Sequence, residues 1–385
     1  MSIKICVFTG SRAEYGLLFP LISALKTRSG YTLQILVSGT HLSTEFGLTY
    51  KQIEEDGFCI NEKVEMLLSA DSDTAIVKST GIALMGYADA LSRLNPDWLL
   101  LLGDRFEAFA AATAAHLKKI PVVHLHGGEI TEGATDDALR HAISKMSYLH
   151  FTSTESHRRR VIQLGEEPFR VFNVGAIGID NIKQLKLLSK AQLEASLNFS
   201  IGEDCILVTF HPVTLESHTA TAQLHDLLGV LNKFPELKVV FTLPNADAEG
   251  RALIEMIRHF VSENQLRAVS FTSLGQLRYL SLMRLVKAVV GNSSSGIIEA
   301  PSFGVPTLNI GDRQKGRERA ESVLDVSHEP KAIEEGLNKV LSQTFQDFAR
   351  TVNNPYGNGD STIKILNILD QFKQPLDLKK TFFDL

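Results

Sequence analysis

The chain opens Ile3-Lys4-Ile5-Cys6-Val7-Phe8-Thr9-Gly10-Ser11-Arg12-Ala13-Glu14-Tyr15-Gly16, and the step at Thr9-Gly10 decides how the rest is read. A β-branched and aromatic run of this length is a strand, and its near-continuous apolarity suits a parallel strand covered on both faces. A Gly-bearing turn then enters a helix, and the free N–H groups of such a helix start attract phosphate. The turn matches neither the dinucleotide GxGxxG nor the Walker GxxxxGKS/T pattern. A tight turn with no ligand would explain the glycines, but it needs no guanidinium, so Arg12 favours an anion site.

The same pattern repeats outward. Residues 33–38, 98–102, 121–125, 148–152 and 171–174 read as strands, and 73–94 as a helix with Ile76, Val77, Ala83, Leu84, Leu91 and Leu94 on one side, ended by Asn95-Pro96. A second series follows at 205–210, 237–243, 269–272, 288–290 and 306–310, with a helix over 248–263. Two successive βα series imply two doubly wound α/β domains, joined through the polar stretch 180–202. Ligands of open α/β sheets bind beyond the carboxyl ends of the strands, so the site is expected in a cleft between the domains.

Composition narrows the class. A chain of 385 residues with 44% hydrophobic and 22% charged residues is globular, and its length exceeds what one core usually holds. The net charge of −5 offers no basic face for nucleic acid or an anionic membrane. Cys6, Cys59 and Cys205 are too far apart for a CxxC metal site or a disulfide framework. The apolar run at 98–102 is far short of a membrane span, and 5–8 is too short for a signal segment. A soluble, cytoplasmic protein is expected.

Further motifs fall at strand ends. Leu102-Gly103-Asp104-Arg105-Phe106-Glu107 puts an acid at the ligand edge, or an N-cap on a helix over 106–117. His124-Leu125-His126-Gly127-Gly128-Glu129, followed by Asp136, Asp137, Arg140 and His141, is richer in titratable groups than packing needs. Such clusters make proton-transfer sites. Strand alternation would put His124 and His126 on one side, which also permits a metal reading with Asp104, although no HxxEH or HExxH spacing supports it. Phe210-His211 and Pro244-Asn245 place a His and an amide past strand ends. Gly291-Asn292-Ser293-Ser294-Ser295-Gly296 leads into a helix carrying Glu299 and offers hydroxyls and N–H groups to phosphate. A nucleophile elbow would need glycine at position 295. Gly311-Asp312-Arg313-Gln314-Lys315-Gly316-Arg317-Glu318-Arg319 adds a run of cations. Asp71-Ser72-Asp73 has the DxD form of metal-dependent glycosyltransferases, but it precedes a helix, where capping explains it better.

Taken together, these stretches closely resemble the hydrolysing UDP-N-acetylglucosamine 2-epimerases of bacterial sialic-acid synthesis, over nearly the whole chain. The resemblance implies the two-domain GT-B fold, with residues 1–180 as one domain, 181–361 as the UDP-binding domain, and a helix at about 362–385 packing back on the first. It implies UDP-GlcNAc and UDP as ligands, no metal or other cofactor, no nucleic-acid or membrane partner, and a homodimer or tetramer. Residue by residue, Arg12, Ser293, Ser294 and Arg313 resemble diphosphate and nucleotide contacts, with Arg105 also among the substrate-binding residues. Glu299 resembles the carboxylate on the ribose hydroxyls, and Leu274 lies where the family's backbone meets uracil. His211 and Asn245 resemble residues near the diphosphate, His211 being counted as catalytic. Asp104 and Asp136 match the family's catalytic acids. Some relatives carry Glu where this chain has His126, so the remaining acid–base role falls to His126 or Glu129.

The implied chemistry is elimination of UDP with loss of the C2 proton, giving a 2-acetamidoglucal, followed by hydration at C1 and reprotonation of C2 on the opposite face. Three alternatives are kept. A sister hydrolase acts on UDP-2,4-diacetamido-2,4,6-trideoxyglucose, and a non-hydrolysing epimerase returns UDP-ManNAc. A nucleotide-sugar sensor would need no acid–base set.

Overall fold

The computed structural model describes residues 2–68, 72–131, 135–212, 220–244, 248–372 and 377–385. Its chain divides into two units, Met1–Asn181 with Tyr356–Leu385, and Ile182–Pro355. The return to the first unit thus begins at Tyr356, ahead of the boundary near residue 362.

The first unit is built on strands β1 (Ile3–Thr9), β2 (Tyr31–Ser38), β3 (Glu62–Val64), β4 (Trp98–Leu102), β5 (Val122–Leu125), β6 (Leu149–Thr152) and β7 (Val171–Asn173). They form one parallel sheet in the order β3-β2-β1-β4-β5-β6-β7. The order reverses between β1 and β4, which opens a crevice at their carboxyl ends. The solid apolar runs have a direct cause. Ile5, Val7, Trp98 and Leu100 enter one core with Leu18, Leu21 and Ile22, while Cys6, Phe8, Leu99 and Leu101 enter another with Ala83, Tyr87 and Ala111. Every side chain of β4 is buried.

The second unit repeats the plan with β8 (Cys205–Thr209), β9 (Lys238–Thr242), β10 (Ala268–Phe271), β11 (Ala288–Gly291), β12 (Thr307–Ile310) and β13 (Val323–Val326), all parallel, in the order β10-β9-β8-β11-β12-β13. Its switch point lies between β8 and β11. Both units are therefore Rossmann-like. Among the described residues no helix is long and apolar enough to cross a membrane.

Two departures from the sequence reading have physical causes. Strands β3 and β13 were not read, because each is a short edge strand: Glu62-Lys63-Val64 carries charge and Val323-Leu324-Asp325-Val326 is interrupted by it. In the helix Asp73–Leu94, Ile76 and Val77 are 42% and 71% exposed, whereas Ala75, Ser79, Ala83, Tyr87, Ala90, Leu91 and Leu94 are buried. Small residues let this helix approach the sheet closely. A Cβ on Gly86 would come within 2.5 Å of Val64 Cγ1.

The last helix, Ser361–Leu369, lays Ile365, Leu366 and Leu369 into the core around Leu18 and Ile22. Its N-terminus is held by Asp180, which is buried and whose Oδ1 and Oδ2 accept from the N–H groups of Ser361 (3.0 Å) and Thr362 (2.6 Å). Farther on, Lys380 Nζ donates to the carbonyls of Lys145 (2.9 Å) and Ser147 (2.6 Å) and to Glu166 Oε2 (2.6 Å).

Because Asp180 satisfies two buried N–H groups at once, Asp180→Ala is expected to cost roughly 2–3 kcal/mol of unfolding free energy. Guanidinium unfolding checks it. A loss under about 0.5 kcal/mol, within the range of ordinary surface substitutions, would mean that the cap is dispensable.

Candidate active site

In the first unit the carboxyl ends of β1, β2 and β4 converge on a buried polar cluster. Ser11 caps the helix Arg12–Thr27 by accepting from the Glu14 N–H at 3.3 Å, which leaves Arg12 exposed on the first turn. The Glu14 carboxylate turns back to accept from the Gly10 N–H at 2.7 Å. Glu107, fully buried, chelates Arg105 through two hydrogen bonds of 2.9 and 3.1 Å. Gly39 closes the cluster: at φ +58, a Cβ there would lie 2.6 Å from the Gly10 carbonyl oxygen and 3.2 Å from Glu107 Oε1. Burial, opposed by the Gly10 N–H and reinforced by Glu107, raises the Glu14 carboxyl to about 7. Glu14 and Glu107 were quoted in the sequence motifs but not counted among site residues. Their signal was the N3 position after Ser11 for Glu14, and for Glu107 a charge on an otherwise alanine-rich helix face.

Beyond β4, Asp104 does not cap the helix Phe106–Leu117; the cap position belongs to Arg105, with no side-chain bond. Asp104 instead forms an ion pair with Arg140, whose guanidinium is buried and also donates to the Glu129 carbonyl (2.9 Å) and Thr131 Oγ1 (3.1 Å). Asp136 lies in the first turn of the helix Thr135–Met146. Its pKa is raised by desolvation, partly offset by Arg105 and reinforced by Glu107.

The two histidines after β5 part company. His124 is fully buried, with Nε2 donating to the Gly103 carbonyl (2.7 Å) and Nδ1 accepting from Ser144 Oγ (3.1 Å). Burial lowers its pKa to about 3, so it is neutral. Both nitrogens are engaged, which removes it from the metal reading. The strand ends at Leu125, and His126 takes φ +65, so alternation does not apply to it. Its Nδ1 lies 2.9 Å from Glu129 Oε1 and its Nε2 3.4 Å from the Ile177 N–H. Glu129 Oε1 also accepts from Ser153 Oγ at 2.9 Å, and Ser153 Oγ lies 2.9 Å from His157 Nδ1. Ser153 and His157 left no motif in the sequence.

In the second unit the switch point is organised by Asn292. Its side chain accepts from the His211 N–H (2.7 Å) and donates to the His211 carbonyl (2.8 Å), while its own carbonyl accepts from Arg313 Nη1 and Gln314 Nε2, both at 2.9 Å. Gly291 permits this approach: at φ +127, a Cβ would lie 2.0 Å from the Thr209 carbonyl oxygen. Arg313 is exposed at the surface, and partial desolvation, then the Arg317 charge, lower its pKa from the ordinary guanidinium value.

The helix after Ser293 spans only Ser294–Ile298, so the serine hydroxyls and N–H groups, rather than a long helix dipole, make the cradle. Burial raises the pKa of Glu299, and Ser295 opposes the shift by hydrogen bonding. Tyr279, unremarked in the sequence, joins this group: burial and then Glu299 push its hydroxyl up to about 12, against hydrogen bonds with Ser295, Thr209 and Ser293. Leu274 is buried, and its carbonyl accepts from Arg278 Nε at 2.8 Å. Asn245 lies outside the described residues, as does Asp71 of the DxD stretch.

Two parallel Rossmann-like units, one edged with acids and imidazoles and the other with serines and arginines, are the two halves of a GT-B-type fold. A profile of the UDP-N-acetylglucosamine 2-epimerase family matches residues 23–370, and the chain belongs to that family. It is 42% identical over 343 residues to the GDP/UDP-N,N'-diacetylbacillosamine 2-epimerase (hydrolyzing) of Campylobacter jejuni, covering 89% of this chain and 88% of that protein. It is 38% identical over 384 residues to the polysialic acid biosynthesis protein P7 of Escherichia coli, covering 99% and 97%. The fold is shared with the UDP-GlcNAc 2-epimerase of Neisseria meningitidis crystallised with UDP-GlcNAc, at a TM-score of 0.75 and 22% identity over 96% of this chain and 100% of that one.

Glu14 gives a pH-dependent prediction. Its folded pKa is raised, so the folded state holds a proton that the unfolded chain releases, and stability falls as pH rises through about 7. Glutamine keeps an acceptor for Gly10 without the charge. Glu14→Gln is therefore expected to stabilise the protein by about 1–3 kcal/mol more at about pH 8 than at about pH 4. Denaturant unfolding at both pH values reads the difference, and equal effects would exclude a buried carboxylate penalty.

Proposed function

We propose that the chain hydrolyses a UDP-linked 2-acetamido sugar with inversion at C2, releasing UDP and the 2-epimeric free sugar. The observation that carries this reading is the His126–Glu129 pair, at 2.9 Å and nearly enclosed, at the same sheet edge as the Asp104–Arg140 pair. Binding alone needs no such set of proton donors and acceptors.

In this reading His126, held through Nδ1 by Glu129, gives up the long Nε2 contact with the Ile177 N–H and takes the C2 proton there as the C1–O bond breaks. The electron pair of the C2–H bond forms the glucal double bond, and the electrons of the C1–O bond leave with UDP. Arg12, Arg313, His211, Ser293 and Ser294 take up the charge developing on the diphosphate. Glu299 receives the ribose hydroxyls, and Leu274 the base. Positive charge developing at C1 is met by Asp104 and Asp136. Water then adds at C1, and a proton returns to C2 from the opposite face.

For the sugar, UDP-GlcNAc is the first reading. A cavity of about 550 Å3 beside Arg105 is lined by Thr40, Ser43, Thr44, Glu45 and Glu65, which suit hydroxyl groups and repel a second diphosphate. The same cavity also presents Leu42, Phe46, Leu68 and Ile76, and the 42% identical relative is named for diacetylbacillosamine. The 2,4-diacetamido-2,4,6-trideoxy sugar nucleotide is therefore the second reading.

Product analysis with both sugar nucleotides tests the proposal. Product formed in deuterium oxide should carry deuterium at C2, and product formed in oxygen-labelled water should carry the label at C1, with none in UDP. Label in UDP would mean attack at phosphorus and would overturn the mechanism. Arg313→Ala is expected to raise KM and lower kcat together, because its contact to the diphosphate strengthens as UDP departs. Steady-state kinetics read both constants.

A further inference from the structure

We infer that Ser153 and His157 are positioning residues that set the tautomer and basicity of His126 through Glu129. The inference rests on the acid–base role proposed for His126. The four side chains lie in one line of hydrogen bonds: His157 Nδ1 to Ser153 Oγ at 2.9 Å, Ser153 Oγ to Glu129 Oε1 at 2.9 Å, and Glu129 Oε1 to His126 Nδ1 at 2.9 Å.

The donor directions follow from the carboxylate. An ionised Glu129 only accepts, so Ser153 donates its one hydroxyl proton to it. Ser153 must then accept from His157, which carries its proton on Nδ1. On the other side Glu129 accepts from His126, which carries its proton on Nδ1 as well. Nε2 of His126 is left as the acceptor, and it faces the Ile177 N–H at 3.4 Å. A carboxylate that orients an imidazole in this way fixes which nitrogen is the base.

The line is built in. Ser153 is fully buried, His157 is 3% exposed and Glu129 is 6% exposed. A Cβ on Gly128 would lie 2.3 Å from the His157 carbonyl oxygen, so the helix Glu155–Gln163 presses on the glycine turn that separates His126 from Glu129. The charged groups around the line are Arg140 on the Glu129 carbonyl, Arg160 on the Gly128 carbonyl, and neutral His124.

Removing that hydroxyl takes a donor from Glu129 Oε1, the same oxygen that meets His126 Nδ1. Ser153→Ala and His157→Ala are expected to move the acid limb of the kcat/KM profile up by roughly half a unit or more. They should lower kcat roughly five- to tenfold with KM unchanged. His157→Asn, whose amide donates where Nδ1–H does, should restore the limb. An unmoved limb, or an Asn variant no better than Ala, would overturn the inference. Proton–nitrogen correlation spectra of the His126 ring give a readout independent of turnover. They should show the Nδ1–H tautomer in the parent chain and a displaced Nδ1–H signal in Ser153→Ala. The opposite tautomer, or an unmoved Nδ1–H signal, would overturn the inference even in an active enzyme. Absence of turnover on both sugar nucleotides would instead overturn the function and leave the spectra to decide this point.

Discussion

The first unit depends on one buried cation. Arg140 is 4% exposed, and a guanidinium at that depth is tolerated only when its charge and its donors are answered. The answers come from three chain segments: Asp104 after β4, the Glu129 carbonyl and Thr131 after β5, and Asp137 one turn back on its own helix at 3.4 Å. Asp104, Glu129 and Thr131 stand outside the helices and strands. Satisfying Arg140 therefore fixes the Asp104 carboxylate and the Glu129 backbone together, and Glu129 in turn fixes His126. The helix carrying Arg140 is held at its far end too, where Lys380 donates to the carbonyls of Lys145 and Ser147. A C-terminal segment remote in sequence thereby braces an element that carries the site.

The second unit solves the same problem with neutral groups. Asn292 occupies the switch point with an amide that clamps both backbone atoms of His211, and its carbonyl restrains Arg313 and Gln314. Arg313 has its nearest restraint from a carbonyl, not a carboxylate, so its charge is not cancelled where it is held. Arg105 in the first unit, chelated by Glu107, is in the opposite condition. The contrast is electrostatic: Arg105 and Arg140 in the first unit are answered by carboxylates, while Arg313 in the second is held on a carbonyl.

The strands most legible in the sequence are those buried on both faces, such as Trp98–Leu102, because they must be apolar at every position. Strands β3 and β13 were hidden by the charges of Glu62, Lys63 and Asp325 inside very short runs. Helix Asp73–Leu94 was located correctly, with Ala83, Leu91 and Leu94 buried as read, but its first turns bury Ala75 and Ser79 in place of Ile76 and Val77. For the site, motif positions at strand ends were legible and their partners were not. Asp104 and Arg140 are 36 residues apart, and Glu129 and Ser153 are 24 apart. Nothing local announces such pairs. The shared face assumed for His124 and His126 fails because periodicity stops where the strand does.

The backbone at His126 shows why two glycines follow it. A non-glycine residue at φ +65 carries a strain of roughly 1 kcal/mol, and Gly or Asn is the usual occupant of such a position. The turn then tightens further. A Cβ on Gly127 would lie 2.8 Å from Ser144 Oγ and 3.0 Å from His124 Nδ1, and Gly128 sits at φ +79 against the His157 carbonyl. Both successors are glycine because the helices on either side leave no room. The tight turn is what returns the chain so that Glu129 meets the ring of His126 only three residues later. Strain retained at the one position that faces a carboxylate, and relieved by glycine at the next two, is the pattern expected when the side chain rather than the backbone is what the position requires. A glycine at 126 would make the turn easier and leave Glu129 with no imidazole to hold.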